Sequence, residues 1–334
     1  MYNNLQQSPP EPLNDAEMRW AFLYLKEVES LSSYKSFLTL DQLCSLVIDD
    51  RGLICADRAL FAKYLLRTNY YRFSGYAREF QIDPKYGDNH FKRGITFEAI
   101  REIIDVDSMM RFLLMEQIST VEIAVRSTLA HEYARAYGER AFYLNTDFYK
   151  QGGNSSDDKP FDIVKGLLSD LERDKSRMVS RYVNESIVGE TFEDRCKRYA
   201  NVPLWVAVEV VSFGRVSNIL GFSKDSLPAK EAAKSLGVQW DPFAEVVHAL
   251  SVMRNMCAHH RQLWNRRMAI HCPVQKKLKP RNVKYDELGP YPQLIMANYY
   301  RSKIDGDTSV AKKMNELLAS HPGYSEGFRN PCPK

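Results

Sequence analysis

An all-α fold is the expectation for this chain, and three observations carry it. Apolar residues recur at helical spacing through most of the 334 residues, strand-like alternation is almost absent, and capping residues with Gly or Pro turns punctuate the periodic stretches. No internal repeat is visible. The length is more than one small core needs, so the expected organisation is a large helical bundle behind a small N-terminal helical module. The expected divisions are a disordered N-terminus (1–13), the module (14–90), the main helical domain (91–305), and a C-terminal helix and tail (306–334).

Taken in order, "NDAEMRWAFLYLKEVESL" predicts a helix capped by Asn14 or Asp15, after a Pro-rich start. "LTLDQLCSLVIDDRGL" predicts a short helix from Thr39 to Gly52, and "ADRALFAKYLLRT" another. The aromatic and basic "NYYRFSGYAREFQ" closes the module, with Gly75 and "DPKYGDN" breaking the helical period. The longest helix is expected from Thr96 to about Gly138, largely buried, with a break near Asp105 to Asp107. "QGGNSSDDKP" is a loop, and "FDIVKGLLSDLERDKSRMVSRYV" and "VPLWVAVEVVSFGRVSNILGF" each predict one helix, the second with Pro203 in its first turn. A further helix starts near Pro242, and another near Thr308 or Ser309. "HPGYSEGFRNPCPK" reads as a tail that contacts the core or a partner.

Composition excludes several function classes. With 46 Lys+Arg against 42 Asp+Glu the net charge is +4, so any basic surface is local. No run of about eighteen apolar residues exists and the N-terminus lacks a signal-peptide pattern, so a soluble, cytoplasmic protein with no membrane partner is expected. The six cysteines form no CxxC pair, which argues for reduced thiols. Cys257, His259, His260, His271 and Cys272 fit no common zinc spacing, and no phosphate-loop, dinucleotide or serine-hydrolase motif is present. Neither a metal nor a cofactor is expected.

The chemistry concentrates in "SVMRNMCAHHRQLWNRR", residues 251–267. On a helix from Pro242, Phe243, Val246, Val247, Leu250, Met253 and Cys257 form one apolar stripe, and Arg254 falls about 20° from Phe243. A charge there calls for a carboxylate, a phosphate or a partner subunit. His259 lies about 140° from Arg254 if the helix continues, near His248 and Asn255, so the two converge poorly unless the helix ends near Ala258 or two copies meet. The plainer reading makes Arg254 one half of a buried ion pair with Glu122 or Glu209, and His259 and His260 helix C-terminal groups facing the dipole. A second R-x4-H occurs at Arg126 to His131. There Glu122 sits one turn before Arg126, an ordinary i,i+4 pair that would at most support the site. Trp264 and Asn265 read as packing and capping residues.

"RNMCAHH" is similar to the R-x4-6-H motif of the HEPN superfamily, and "RNMCAHHRQLWNR" resembles its form in the abortive-infection AbiD/AbiF-like (Abi_2) family. "PLWVAVEVVSFGRVSNIL" resembles the family's Pro-(hydrophobic)-Trp, Glu and Ser-Phe-Gly signature. "LTLDQLCSLVIDDRGL", "LLRTNYYRFSGY" and "VEIAVRSTLAHEYARAYG" extend the likeness over about residues 38–270 in the same order. The resemblance implies a HEPN-type helical bundle with metal-independent ribonuclease activity in phage defence of the abortive-infection or toxin–antitoxin kind. It also implies motifs paired across a homodimer, and for some members a small structured non-coding RNA as a restraining partner. A histidine suits proton transfer at the ribose 2′-OH or the leaving 5′-oxygen, and an arginine fork suits a phosphorane-like transition state. Arg254 and His259 are therefore the expected catalytic pair, with Asn255 orienting them, His260 as a second candidate, and Glu122 and Arg126 in support. The alternative is a non-cleaving RNA-binding regulator on the same fold.

Basic and aromatic residues interleave in "QKKLKPRNVKYDELGPYP" and "NYYRSKI". Such segments either track an RNA backbone or form a solvated face. On the RNA reading the contacts are Lys276, Lys277, Lys279, Arg281 and Lys284. Tyr70, Tyr71 and Arg72 either stack on bases or pack as a tyrosine cluster with arginine at its rim.

Overall fold

A computed structural model describes residues 36–152 and 158–333. The expected N-terminal disorder, the helix from Asn14 and the middle of the "QGGNSSDDKP" loop lie outside the described residues. Thr39 opens the first helix through a reciprocal cap with Gln42, whose Oε1 accepts from the Thr39 N–H at 2.9 Å. α1 (Leu40–Cys44) runs into a π-helical turn over 45–50 and stops at Gly52, whose φ is +74°. α2 (Arg58–Thr68) starts on the Asp57 cap, and α3 (Tyr70–Ala77) on the Asn69 cap.

Gly75 does not break α3; it lies inside the helix. The next segment, "DPKYGDN", turns between β1 (Gln81–Asp83) and β2 (Asp88–Phe91), an antiparallel pair. Strands of three and four residues carry too little alternation to be read from sequence.

α4 (Phe97–Tyr137) is one continuous helix of 41 residues, capped by Thr96 and ended at Gly138 with φ +81°. The break expected near Asp107 does not occur. Asp107 is instead fully buried, and its carboxylate accepts from Tyr76 Oη (2.5 Å), Tyr324 Oη (2.8 Å), the Leu263 N–H (3.1 Å), the Trp264 N–H (3.0 Å) and Arg111. Ile100, Ile104, Met110, Leu114, Ile118, Val121, Val125 and Leu129 are buried along the same helix. Burying such a side chain stabilises by roughly 1.5–3 kcal/mol, so α4 is held by packing rather than by its own propensity.

Two expected helices each split. Residues 161–183 form α5 (Lys159–Arg173) and α6 (Arg177–Ser180), because Asp174 is extended and its carboxylate accepts the Ser176 N–H at 2.8 Å. After α7 (Phe192–Arg198), residues 203–222 form α8 (Leu204–Val210) and α9 (Phe213–Phe222), with Val211 extended and Ser212 capping α9. α10 (Leu227–Ser235), α11 (Phe243–Ala258), α12 (Tyr291–Ile304) and α13 (Ser309–Ser320) follow. The expected tail is α14 (Pro322–Arg329), opened by Pro322 at its first turn. Gly327 lets it close on the core, since a Cβ there would stand 2.3 Å from Trp264 Nε1.

α8, α10, α11, α12, α13 and α14 all pack on α4, and α9 bridges α11 and α5. The protein is an all-α bundle around one central helix. Among the described residues no helix is long and apolar enough to cross a membrane.

Asp107→Asn should destabilise the protein by about 3–5 kcal/mol in urea unfolding, because Arg111, 3% exposed, loses its counter-charge. Tyr324→Phe should cost about 1.5–3 kcal/mol, the worth of one hydrogen bond to a charged group. An Asp107→Asn protein as stable as the unsubstituted one would show that this carboxylate does not fasten the bundle.

Candidate functional site

α11 presents the expected apolar stripe to the core: Phe243, Val246, Val247, Leu250, Met253 and Cys257 are all buried. Arg254 is not inside that stripe. Its side chain is 36% exposed at the rim, and its Nε donates to Glu122 Oε2 at 3.1 Å. Of the two carboxylates open to it in sequence, Glu122 is the partner.

The other oxygen of Glu122 is taken by Arg126, whose Nε and Nη2 donate to Oε1 at 3.1 and 2.5 Å. Arg126 also donates to the carbonyls of Val208 and Val211 at the end of α8, and lies over the Phe213 ring. It therefore closes a helix C-terminus, where a cation is favoured. One nearly buried carboxylate thus holds two arginines, leaving one positive charge uncompensated. Arg254 Nη1 reaches Asn255 Oδ1 at 3.4 Å, and Nη2 has no partner among the described residues. A free N–H on a fixed guanidinium is what an incoming phosphate oxygen needs.

α11 ends at Ala258, with His259 as its C-cap. His260 has φ +53°, and the Arg261 N–H returns to the Met256 carbonyl at 2.9 Å, the Schellman closure. Both histidine side chains are exposed, and no hydrogen bond or ion pair joins either to Arg254 among the described residues. His248 does not lie near His259. It faces α9, 3.3 Å from Ser217 Oγ, and burial lowers its pKa.

Two arginines hold this helix end from outside. Arg72 donates to the His260 carbonyl at 2.6 Å, and Arg111 to the Arg261 carbonyl at 3.3 Å. Beside His260 lies a cleft of about 210 Å³ lined by Arg111, Phe112, Met115, Cys257 and Ala258. Arg111 Nε and Nη2 are buried and have no partner among the described residues. Beyond it, Trp264 stacks on Phe80 and Tyr76, and Asn265 donates to Glu79 at 2.6 Å and to the Cys332 carbonyl at 3.2 Å.

Of the proposed RNA contacts, Arg72 reaches this site, on the His260 carbonyl, whereas the lysines after Gln275 do not. Gln275, just before the lysines, donates to the Asp241 carbonyl at the start of α11, about 24 Å along the helix from His259. Lys276, Lys277, Arg281 and Lys284 are exposed, whereas Lys279 is paired with Glu287 at 2.6 Å. "NYYRSKI" is largely packed into α12: Tyr300 is buried, and Arg301 is held by Thr120, Asp305 and Asp307. Of Tyr70, Tyr71 and Arg72 in α3, Tyr71 alone stands outward, since Tyr70 accepts from Arg51 and Arg72 is committed to His260.

Glu122, Arg126, Arg254, His259 and His260 lie within residues 63–265, which match the family model of Abi-like proteins, Abi_2, over more than half of the chain. The chain belongs to the Abi-like, abortive-infection family. No curated protein and no solved structure matches it.

Sequence reasoning missed two residues that shape the site of this Abi-like protein, Asp107 and Arg111. Their i,i+4 spacing in "DSMMR" was the available signal, an ion pair in phase with Ile100, Ile104 and Leu114. Among the described residues no three of His, Cys, Asp and Glu gather as a metal site, and His271 faces Glu287 at 3.6 Å instead of the other zinc candidates. Burial pushes the Cys257 and Cys272 thiols up to about 12. Both should remain protonated and unreactive toward a disulfide reagent near pH 8, while exposed Cys332 reacts at once. Cys257 labelling as fast as Cys332 in the folded protein would contradict this.

Proposed function

We propose that this Abi-like protein is a HEPN-type endoribonuclease of phage defence, acting by abortive infection or as the toxin of a toxin–antitoxin pair. The observation that carries this reading is Arg254. It is fixed by Glu122 yet keeps an N–H without a partner among the described residues, near the end of a helix from which His259 and His260 project. In the proposed reaction the ribose 2′-oxygen attacks the adjacent phosphorus and the bond to the 5′-oxygen breaks. His259 accepts the 2′ proton or returns one to the leaving oxygen, and Arg254 meets the charge on the phosphorane. Asn255 holds the Arg254 fork, Glu122 and Arg126 set its direction, and His260 is the alternative proton carrier. No metal or cofactor enters these steps.

The missing contact between Arg254 and the histidines of the same chain supports a site shared by two copies. α4 offers a face for this, because Phe112 and Ile123, 67% and 68% exposed, lie within about 20° of each other on the helix, with Met109 alongside. Phe112 also lines the His260 cleft, so a second copy on this face would stand against the motif. The partners of the dimer are substrate RNA and a structured non-coding RNA that restrains it.

The test is cleavage of labelled single-stranded RNA in EDTA by the unsubstituted, Arg254→Ala and His259→Ala proteins. Each substitution should lower the rate by about 10²-fold or more. Mixing the two variants should restore a fraction of the activity, because a mixed dimer rebuilds one intact site. Cleavage that persists in both variants removes Arg254 and His259 from the reaction. Salt-dependent RNA binding without cleavage by any protein selects the second reading, a non-cleaving RNA-binding regulator, which the unjoined arginine and histidines would then explain.

A further inference from the structure

Away from the motif, α4 and α8 enclose a groove of about 460 Å³. Its floor is small, made by Ser127, Ala130 and Ala134, and its rim carries His131, Trp205 and Glu209. These three are chemically conspicuous. Trp205 is 44% exposed and neither its ring nor its indole N–H has a partner among the described residues. Glu209, the carboxylate that Arg254 does not use, is exposed and makes no ion pair among the described residues. His131 likewise has no partner there, and Arg135 beside it is 63% exposed, held only by Glu132 at 2.7 Å.

Trp205 and Glu209 are four residues apart on α8, so they stand side by side on one face. An exposed indole beside a carboxylate suits a flat ring with two adjacent N–H donors on its edge. Guanine has that edge, at N1 and N2. Adenine and cytosine offer one amine beside an acceptor, and uracil one N–H between two carbonyls that a carboxylate repels. The groove is also tied to the motif. Val208 lines it, and the Val208 carbonyl accepts from Arg126, which shares Glu122 with Arg254.

We propose that this groove is a guanine-binding subsite for single-stranded RNA: Trp205 stacks on the base, Glu209 accepts from N1–H and N2–H, and His131 with Arg135 takes the flanking phosphates. His131 lies about 13 Å along α4 from Glu122, which places the subsite a few nucleotides from the reacting phosphate. The second R-x4-H thereby divides: Arg126 supports the arginine of the first motif, and His131 serves the subsite. The proposal rests on the reading of the protein as RNA-directed.

The test uses the full chain carrying His259→Ala, so that the probe stays intact, and fluorescence anisotropy of a labelled oligouridylate with one internal guanosine, adenosine, inosine or uridine. The guanosine probe should bind about tenfold more tightly than the adenosine and uridine probes, with inosine between, since it keeps N1–H and loses the amine. Trp205→Ala should abolish the preference, Trp205→Phe should keep most of it, and Glu209→Gln should make guanosine and adenosine equal. Equal binding of all probes, or a preference that survives Trp205→Ala, overturns the subsite and leaves the RNA reading standing. No salt-dependent binding of any probe overturns both. A Trp205-dependent guanosine preference, together with no cleavage of labelled RNA by the unsubstituted protein, keeps the subsite and removes the nuclease.

Discussion

Asp107 is a carboxylate with no exposure to solvent, and an ion so placed must be met on every side, because its bare desolvation costs several kcal/mol. Five donors meet it. They come from α3 through Tyr76, from its own helix through Arg111, from the segment after α11 through Leu263 and Trp264, and from α14 through Tyr324. Hydrogen bonds to a charged group are each worth about 1.5–3 kcal/mol, so the cluster outweighs any surface ion pair in the molecule. Segments distant in sequence are thereby joined at one atom pair. α14 lies beyond the matched family region, yet it closes on the same carboxylate.

The site inherits its rigidity from this junction. The chain leaving His260 is pinned within four residues at Leu263 and Trp264, and Arg111 spans from Asp107 to the Arg261 carbonyl. Arg72 holds the His260 carbonyl from α3. The end of α11 is therefore framed by the N-terminal elements and the C-terminal helix together, the backbone support that the proton carrier proposed there would require. Glu122 does the corresponding work for Arg254. It stands between two arginines, so that one closes α8 and the other is presented with a donor to spare.

Much of this was legible where the signal is local. Thr39 and Thr96 open helices where the sequence places them, and the α11 stripe follows from six apolar residues in helical phase. The pairing of Glu122 with Arg126 is a one-turn contact and could be read directly. What failed is non-local or out of phase. Asp107 looks like a helix break because its partners lie 31, 156 and 217 residues away. The interruptions at Asp174 and Val211 are too brief to disturb the apolar period, and the glycines of α14 hide a helix that needs Gly327 to reach Trp264. Composition marks the lysines after Gln275 as basic, but only the folded chain sets Gln275 against Asp241, at the far end of α11.

The chemistry assigned to Arg254 and His259 makes the ribose 2′-oxygen the nucleophile, and this is open to direct measurement. The substrate is an RNA with a single 2′-deoxy nucleotide at a mapped cleavage site, and the ends of the fragments are identified by mass. The expected result is loss of cleavage at that linkage alone, with 2′,3′-cyclic phosphate and 5′-hydroxyl ends at the others. Cleavage at the deoxy linkage, or fragments ending in 3′-hydroxyl and 5′-phosphate, would mean that water attacks, and would contradict the roles given to both residues.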